Sequence, residues 1–336
     1  MKYNKFRKLG KYGEDVSTVG IGAMSFTNFY GPCNDSQAKN ILNAALDMNL
    51  NHIDTSNVYG AGKSEERIGD FLSKQGNLSS SLFNIATKAA IYTDQETGKR
   101  GFNNEGEYLE KELDKSLKRL GVEYVDLFYV HRRDIRIEIE EVTESLAQLV
   151  KKGKTKTIGF SEIAPSSLRR ASKIHHIAAV QSEYSLSTRA PEMGLLQTCN
   201  ELETALVAFS PVGRTFLTDN PLSYNFAQSL DFTKVNPRFN QPNYDNNILI
   251  TDKFRNYAKD LGVASATLSI SWLLSQGEHV IPIPGTRSVE HLKELAAGME
   301  FDMTDKIKSE IEDILPLGWA YGDRYSEAQW IGPERY

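Results

Sequence analysis

Apolar residues along this chain follow two rhythms. Some stand in short unbroken runs, and others recur every three or four positions as one-sided stripes. The runs read as strands covered on both faces, the stripes as helices with one face turned inward. FRKLG and DVSTVG flank a Lys-Tyr-Gly-Glu turn, which predicts a hairpin over Lys5–Val19. VGIGAMSF follows as a first strand. From Asp35, Ile41, Leu42, Ala45 and Met48 share a helical face, and Asn51–Asp54 then form a second strand. A helix opening KSEERIGDFL ends near Lys74, and Leu82–Lys88 is the third strand. Leu109, Leu113, Leu117 and Leu120 stripe a helix over Gly106–Leu120, which Gly121 caps. Val125–His131 is strand four, with a helix over Glu138–Lys152 behind it. Thr155–Glu162, Ile177–Ser185, Thr204–Gly213 and His279–Arg287 complete the series of strands. Helices start at Pro165, run through Leu195 and Leu196, and cover Val289–Ala297. Eight strands with interposed helices predict an α/β TIM-type (β/α)8 barrel, one domain over residues 1–336, rather than an open sheet.

Two stretches stand outside that count. Arg214–Asn247 is rich in Asn, Pro, Phe and Tyr without a clear period, and reads as a long loop after strand seven. Its aromatic residues favour a lid. The tail beyond Pro316 carries Trp319, Tyr321, Tyr325 and Trp330. It either wraps over the barrel mouth or packs against the outside, and the pattern leaves both open.

The strand ends carry the chemistry. Three successive strands finish on Asp54, Lys88 and His131, and Tyr59 lies five residues past Asp54 in a turn with Gly60 and Gly62. Barrel strands deliver their carboxyl ends to one mouth. A phenol titrates near 10, and a neighbouring ammonium held by a carboxylate would favour its ionised form. Singly, Asp54 suits a turn, Tyr59 a loop aromatic and Lys88 a snorkelling strand end. Taken together they form a candidate acid–base set. The glycines around Gly22 allow a ligand close to backbone, although their spacing is not GxGxxG. His52, His175 and His176 read as packing or surface residues, the acidic run near Glu138 as a solvated helix face, and Cys33 as unactivated.

Composition adds limits. The 336 residues are 40% hydrophobic and 25% charged, enough for an ample core. A net charge of −5 without a basic tract argues against nucleic acid or an anionic membrane as partner. Cys33 and Cys199 form neither a disulfide framework nor a metal-ligand spacing, which suits a reducing compartment. The N-terminal residues hold no apolar signal core, and no apolar run reaches membrane length, so the expected location is cytoplasmic.

Over nearly its whole length the chain resembles the aldo-keto reductase family. Asp54, Tyr59, Lys88 and His131 match the family's tetrad residue for residue, and IDTSNVYG, GVEYVDLFYVH and IPIPGTR match its local wording. GFSE, QSEYSL and AFSPVGR are most similar to bacterial, fungal and plant members acting on small aldehydes and ketones, pyridoxal among them. The resemblance implies a nicotinamide cofactor extended across the mouth. Gly22, Ala23, Met24 and Asp54 would surround the nicotinamide, Ser161 and Gln181 would bond its carboxamide, and Phe209 would stack on its ring. Ser210, Pro211, Val212 and Arg214 would follow the pyrophosphate. Gly285, Thr286, Arg287, His291 and Glu294 would surround the adenosine phosphate.

Four positions depart from the family's usual residues. Many members have Asn at Glu162, Tyr at Phe209, Arg near His291 and Asn at Leu295. Phe209 keeps a stacking face. His291 loses the fork that binds a phosphate bidentately, while Arg287 keeps one. NADP(H) is therefore the expected cofactor, with NAD(H) left open. The implied reaction is reduction of a small-molecule carbonyl. Tyr59 would give the proton, Lys88 paired with Asp54 would lower its pKa, and His131 would orient the oxygen, with no metal required. Relatives with the same tetrad also serve as NADPH-binding channel β subunits or as NAD-linked alcohol and sugar dehydrogenases. The aromatic lid and tail suggest apolar pocket walls. The physiological substrate and the oligomeric state are not legible in the sequence.

Overall fold

The computed structural model describes residues 2–76, 81–94 and 96–336. Strands β1 (Phe6–Lys8) and β2 (Asp15–Ser17) pair antiparallel, with Arg7 opposite Val16. β3 (Ile21–Gly22), β4 (His52–Asp54) and β5 (Asn84–Ala89) come next, followed by a second hairpin of β6 (Ile91–Thr93) and β7 (Arg100–Phe102). β8 (Val125–Val130), β9 (Thr155–Ser161), β10 (Ala179–Glu183), β11 (Ala205–Phe209) and β12 (Val280–Pro282) complete the strands. Among the described residues, without the two hairpins, eight strands remain, all parallel, in the order β12-β11-β10-β9-β8-β5-β4-β3. The ends of that order meet: Gly20 and Gly22 donate to the carbonyls of Pro282 and Pro284, both at 2.9 Å. The sheet is thus a closed ring, and β8 lies across it from β12, as β10 does from β4.

Helices α1 (Asp35–Met48), α2 (Lys63–Ser73), α3 (Gly106–Leu120), α4 (Ile139–Lys151), α5 (Pro165–Ala171) and α6 (Leu195–Glu201) occupy the successive connections. Then come α7 (Tyr224–Ser229), α8 (Asn243–Asp260), α9 (Ser265–Leu274), α10 (Val289–Ala297) and α11 (Asp305–Ile314). Local chemistry sets their limits. Asn34 and Gln37 form a reciprocal capping box at the start of α1, and Asn49, left-handed at φ 63°, ends it. The stripe of Ile41, Leu42, Ala45 and Met48 is buried against the barrel, as its spacing requires.

Small and branched side chains fill the barrel interior, among them Ala86, Leu127, Ala179, Ala205, Val207 and Ile281. Leu9 and Val16 of the first hairpin join that cluster and plug the ring at the amino ends of its strands. Arg7 fastens the plug by donating to the carbonyls of Leu274 and Gly277, both at 2.9 Å. The carboxyl-end mouth stays open to a ligand.

The structure revises the expected outline in three places. The stretch Arg214–Asn247 is not a plain loop, since it contains α7 and the start of α8. Phe216, Ala227, Phe239 and Tyr244 give it a small core of its own. Helices α8, α9 and α11 and the hairpin β6–β7 are additions to the elements read from the sequence. The tail wraps over the mouth: Arg324 is buried against Glu162, the Trp319 indole donates to the Leu186 carbonyl at 2.8 Å, and Glu334 accepts from the Ala164 amide at 2.7 Å. Among the described residues no helix is long and apolar enough to cross a membrane.

Candidate active site

The β4–α2 connection builds the centre of the mouth. Thr55 and Asn57 donate their amides to the carbonyls of Ala86 and Lys88 at 2.8 and 3.1 Å, so the loop is laced to the end of β5. Gly60 and Gly62 turn the chain with positive φ and swing Tyr59 over the ring. Asp54, at the end of β4, is fully engaged. One carboxylate oxygen pairs with Lys88 Nζ, and the other accepts from Gln181 Nε2 at 2.7 Å, a bond that spans the barrel from β10. Lys88 is completely buried and also donates to the Thr55 carbonyl at 2.6 Å. Its ammonium lies 5.0 Å from the centre of the Tyr59 ring. His131, one residue past β8, stands edge-on to that ring with centroids 5.7 Å apart, and its Nδ1 is 3.1 Å from Ser56 Oγ.

Burial, and after it the Asp54 carboxylate, push the Tyr59 phenol well above its ordinary pKa, and Arg132 opposes them. Burial likewise draws Lys88 below its ordinary value, against the pull of Asp54. His131 is held well below the usual imidazole range by burial, then by the charges of Arg132, Lys88 and Arg100. At neutral pH the site presents a protonated phenol and a neutral imidazole.

These groups open into a cavity of about 780 Å³, within the range usual for small-molecule sites. Asp54, Tyr59 and His131 line it, whereas Lys88 lies beneath. Of the positions expected to hold a cofactor, Gly22, Met24, Asp54, Ser161, Gln181, Phe209, Ser210, Pro211, Val212, Arg214, Gly285, Thr286, Arg287, His291 and Glu294 all face the cavity. Ala23 does not: it is sealed, and its carbonyl accepts from Ser64 Oγ at 2.8 Å. A Cβ on Gly22 would stand 2.6 Å from the Ile283 carbonyl oxygen, and one on Gly285 2.9 Å from the Gly22 carbonyl oxygen, so backbone itself forms that wall. Ser210, Arg214 and Thr215 hold positive φ of 51°, 55° and 84°, which concentrates backbone strain at the cavity edge. The Arg214 side chain turns to Glu183, 2.6 Å away, rather than lying free along the groove. Ser161 accepts from Arg132 at 2.9 Å, and Arg287 donates to the Pro32 carbonyl at 2.8 Å.

Several site residues escaped the sequence reading. Arg132 and Arg100 line the cavity beside His131, and Phe232 and Tyr325 close it from the long connection and the tail. Both the connection and the tail thus cover the mouth. They meet through stacked rings and guanidinium groups, with Arg214 4.5 Å from the Phe232 ring centre and Arg324 4.6 Å from that of Tyr325. Under them Glu162 and Glu183 are buried and ionised, Glu162 against Arg324 and Glu183 against Arg214. Arg324 thus supplies the counter-charge for Glu162, the acid that stands where many family members have Asn. His52 packs beneath the site against Asn84 at 3.0 Å, and burial raises the pKa of the Cys33 thiol.

Known proteins share both the sequence and this architecture. The family model described as "Aldo/keto reductase family" matches residues 18–316. The chain is 35% identical over 322 residues to the aldo-keto reductase yakc of Schizosaccharomyces pombe, whose name specifies NADP(+), covering 95% of this chain and 94% of that one. It is 37% identical over 324 residues to "Probable aldo-keto reductase 1" of Glycine max, covering 95% and 91%. In three dimensions it resembles a glycerol dehydrogenase of Gluconobacter oxydans, with a TM-score of 0.80, 26% identity and coverage of 92% and 94%. An aldo-keto reductase of Bacillus halodurans, at 23% identity, shares the fold with a TM-score of 0.77 over 97% and 100% of the two chains. A closed (β/α)8 ring whose strand ends bring Asp54, Tyr59, Lys88 and His131 together, matched by a family model from Thr18 to Pro316, makes this chain a member of the aldo/keto reductase family of oxidoreductases.

Proposed function

We propose that this oxidoreductase reduces small aldehydes or ketones to alcohols with NADPH, taking the proton from Tyr59. The observation that carries the reading is the meeting of a protonated phenol, a neutral imidazole and a buried Lys88–Asp54 pair at one end of a cavity whose far end carries Arg287 and the first turn of α10. The residues fit a nicotinamide dinucleotide. Bare backbone at Gly22 and Gly285 accepts a flat ring closely, and Phe209 offers a stacking face. The amide-rich start of α10 and the Arg287 fork suit a phosphate. The NADP(+) in the name of the fission-yeast relative supports the phosphorylated form.

When bound, the reduced nicotinamide supplies the hydride. Tyr59 keeps its proton through the neutral range and releases it only as charge gathers on the carbonyl oxygen. Ser56 can donate to His131 Nδ1, which leaves the Nε2 proton for that oxygen. Both donors then act on charge developed during the reaction rather than on the resting carbonyl. Asp54 and Gln181 fix the floor, so Tyr59 and Lys88 keep their separation. In reverse, the same residues take a proton from an alcohol, a direction favoured by the dehydrogenase name of the Gluconobacter neighbour.

Consumption of NADPH with a panel of small aldehydes and ketones tests the proposal. Turnover with NADPH exceeding that with NADH is the expected result. Tight cofactor binding with no turnover on any carbonyl or alcohol would refute it.

A further inference from the structure

The arginines of this chain are almost all spoken for. Among the described residues, every one except Arg100, Arg132, Arg287 and Arg335 is ion-paired to a carboxylate. Three of those four line the cavity. Arg287 follows β12 and belongs to the phosphate end. Arg132 follows β8, which lies opposite β12 in the ring, and Arg100 stands on the hairpin between β5 and β8. A cofactor phosphate held at Arg287 therefore cannot also satisfy these two.

Arg132 is buried, and Nη1 anchors it by donating to the His131 carbonyl at 2.7 Å and to Ser161 Oγ at 2.9 Å. Its Nε and Nη2 make no protein hydrogen bond among the described residues, and neither is a sealed orphan. Arg100 sits at the rim, its guanidinium 5.2 Å from the Phe102 ring centre. Both charges reach His131, and desolvation, then the charge of Arg132, depress the pKa of Arg100. Two like charges line the cavity beside the reacting centre, and among the described residues neither is within ion-pair distance of a carboxylate, although Glu162 lies in the field of Arg132; this arrangement suits an anion from outside.

We infer that the substrate is a carbonyl compound carrying an oxyanion, a carboxylate or a phosphate, which Arg100 and Arg132 bind while its carbonyl faces Tyr59 and His131. The inference rests on the reductase reading above. Guanidinium forks match such groups bidentately, and the immobile Arg132 positions the anion while Arg100 selects for it.

The test compares 4-carboxybenzaldehyde, 4-formylphenyl phosphate and 4-methylbenzaldehyde as substrates. Wild-type kcat/KM is expected to favour the better anion over the methyl compound by roughly tenfold or more, mainly through KM. That advantage should shrink as added salt shortens the screening length. Arg100→Gln should bring the anionic-to-neutral ratio close to one, and Arg100→Lys should recover part of it. The ranking of carboxylate against phosphate assigns the natural anion. Calorimetric titration with 4-carboxybenzyl alcohol and 4-methylbenzyl alcohol, with and without NADP+, reads the same preference without turnover. If no aldehyde is reduced, the reductase reading fails and the titration still decides this one. No preference for the anion in the wild type, or an undiminished preference in Arg100→Gln, would overturn the inference.

Discussion

Replacing Lys88 by Met isolates the buried ion pair on which the site is built. Lys88 is fully buried and Asp54 only 1% exposed, so the substitution leaves a buried carboxylate charge with Gln181 as its one remaining side-chain partner among the described residues. Removing one member of such a pair costs about 3–5 kcal/mol, and the Thr55 carbonyl loses its donor for about 1 kcal/mol more. A loss of about 5 kcal/mol follows. A chain of 336 residues unfolds with an entropy of about 0.7 kcal/mol/K, so the melting temperature should drop by roughly 7 °C. Adding Asp54→Asn to Lys88→Met removes the stranded charge and should restore most of that drop, which no additive scheme permits. Scanning calorimetry on wild type, the two single variants and the double variant measures the coupling. Turnover, taken well below the melting range, separates the structural from the catalytic loss. Near-wild-type melting of Lys88→Met, or a double variant as unstable as the sum of the singles, would refute the reasoning.

Two further outcomes are expected. Arg324→Ala leaves Glu162 buried without its counter-charge and should loosen the tail at a cost of roughly 3 kcal/mol. Limited proteolysis should then cut beyond Pro316 while the barrel survives, and unchanged protease resistance would contradict this. His131 and His52 are both buried with pKa values below the ordinary imidazole value of about 6.5. The unfolded chain therefore takes up their protons first, so stability is present above about pH 6.5 and is lost as pH falls toward the folded values, by up to about 1.4 kcal/mol per pH unit for each residue. Melting curves between pH 8 and pH 5 should show that slope, and His131→Gln should reduce it. A slope unchanged in the variant would exclude His131 as a source.

Much of the barrel was legible because its pieces are local. Parallel strands buried on both faces read as apolar runs, and their ends named Asp54, Lys88 and His131 directly. Helices with one wet face, such as α3, declared themselves by their leucine stripe. α9 gave no such sign: it is buried on nearly every side, so Ser and Thr alternate with Leu and Ile and leave no polar face to mark a period. α8 fails from the opposite side, because its Asn and Asp dilute a stripe of Tyr244, Thr251 and Phe254. The charged roof was illegible for another reason. Glu162 finds its partner 162 positions away at Arg324, and Glu183 finds one 31 positions away at Arg214, distances over which no residue spacing carries information. Arg100 was hidden with its hairpin, while Arg132, one residue past His131, gave no sign of which way its side chain turns. The field at Tyr59 also had to be seen, since the sequence names Lys88 and its partner Asp54 but neither the burial of the phenol nor the Thr55 carbonyl that shares the ammonium.

The central claim is that Tyr59 gives the proton, and removing one oxygen atom tests it most directly. Tyr59→Phe keeps the ring beside His131 and leaves the Lys88–Asp54 pair in place. NADPH affinity by fluorescence titration and single-turnover aldehyde reduction should be measured on the same preparations. The account predicts affinity within about twofold of wild type, with the chemical step slowed by 10²-fold or more, as befits loss of a general acid. Reduction at the wild-type rate with the cofactor bound normally would show that the proton comes from elsewhere.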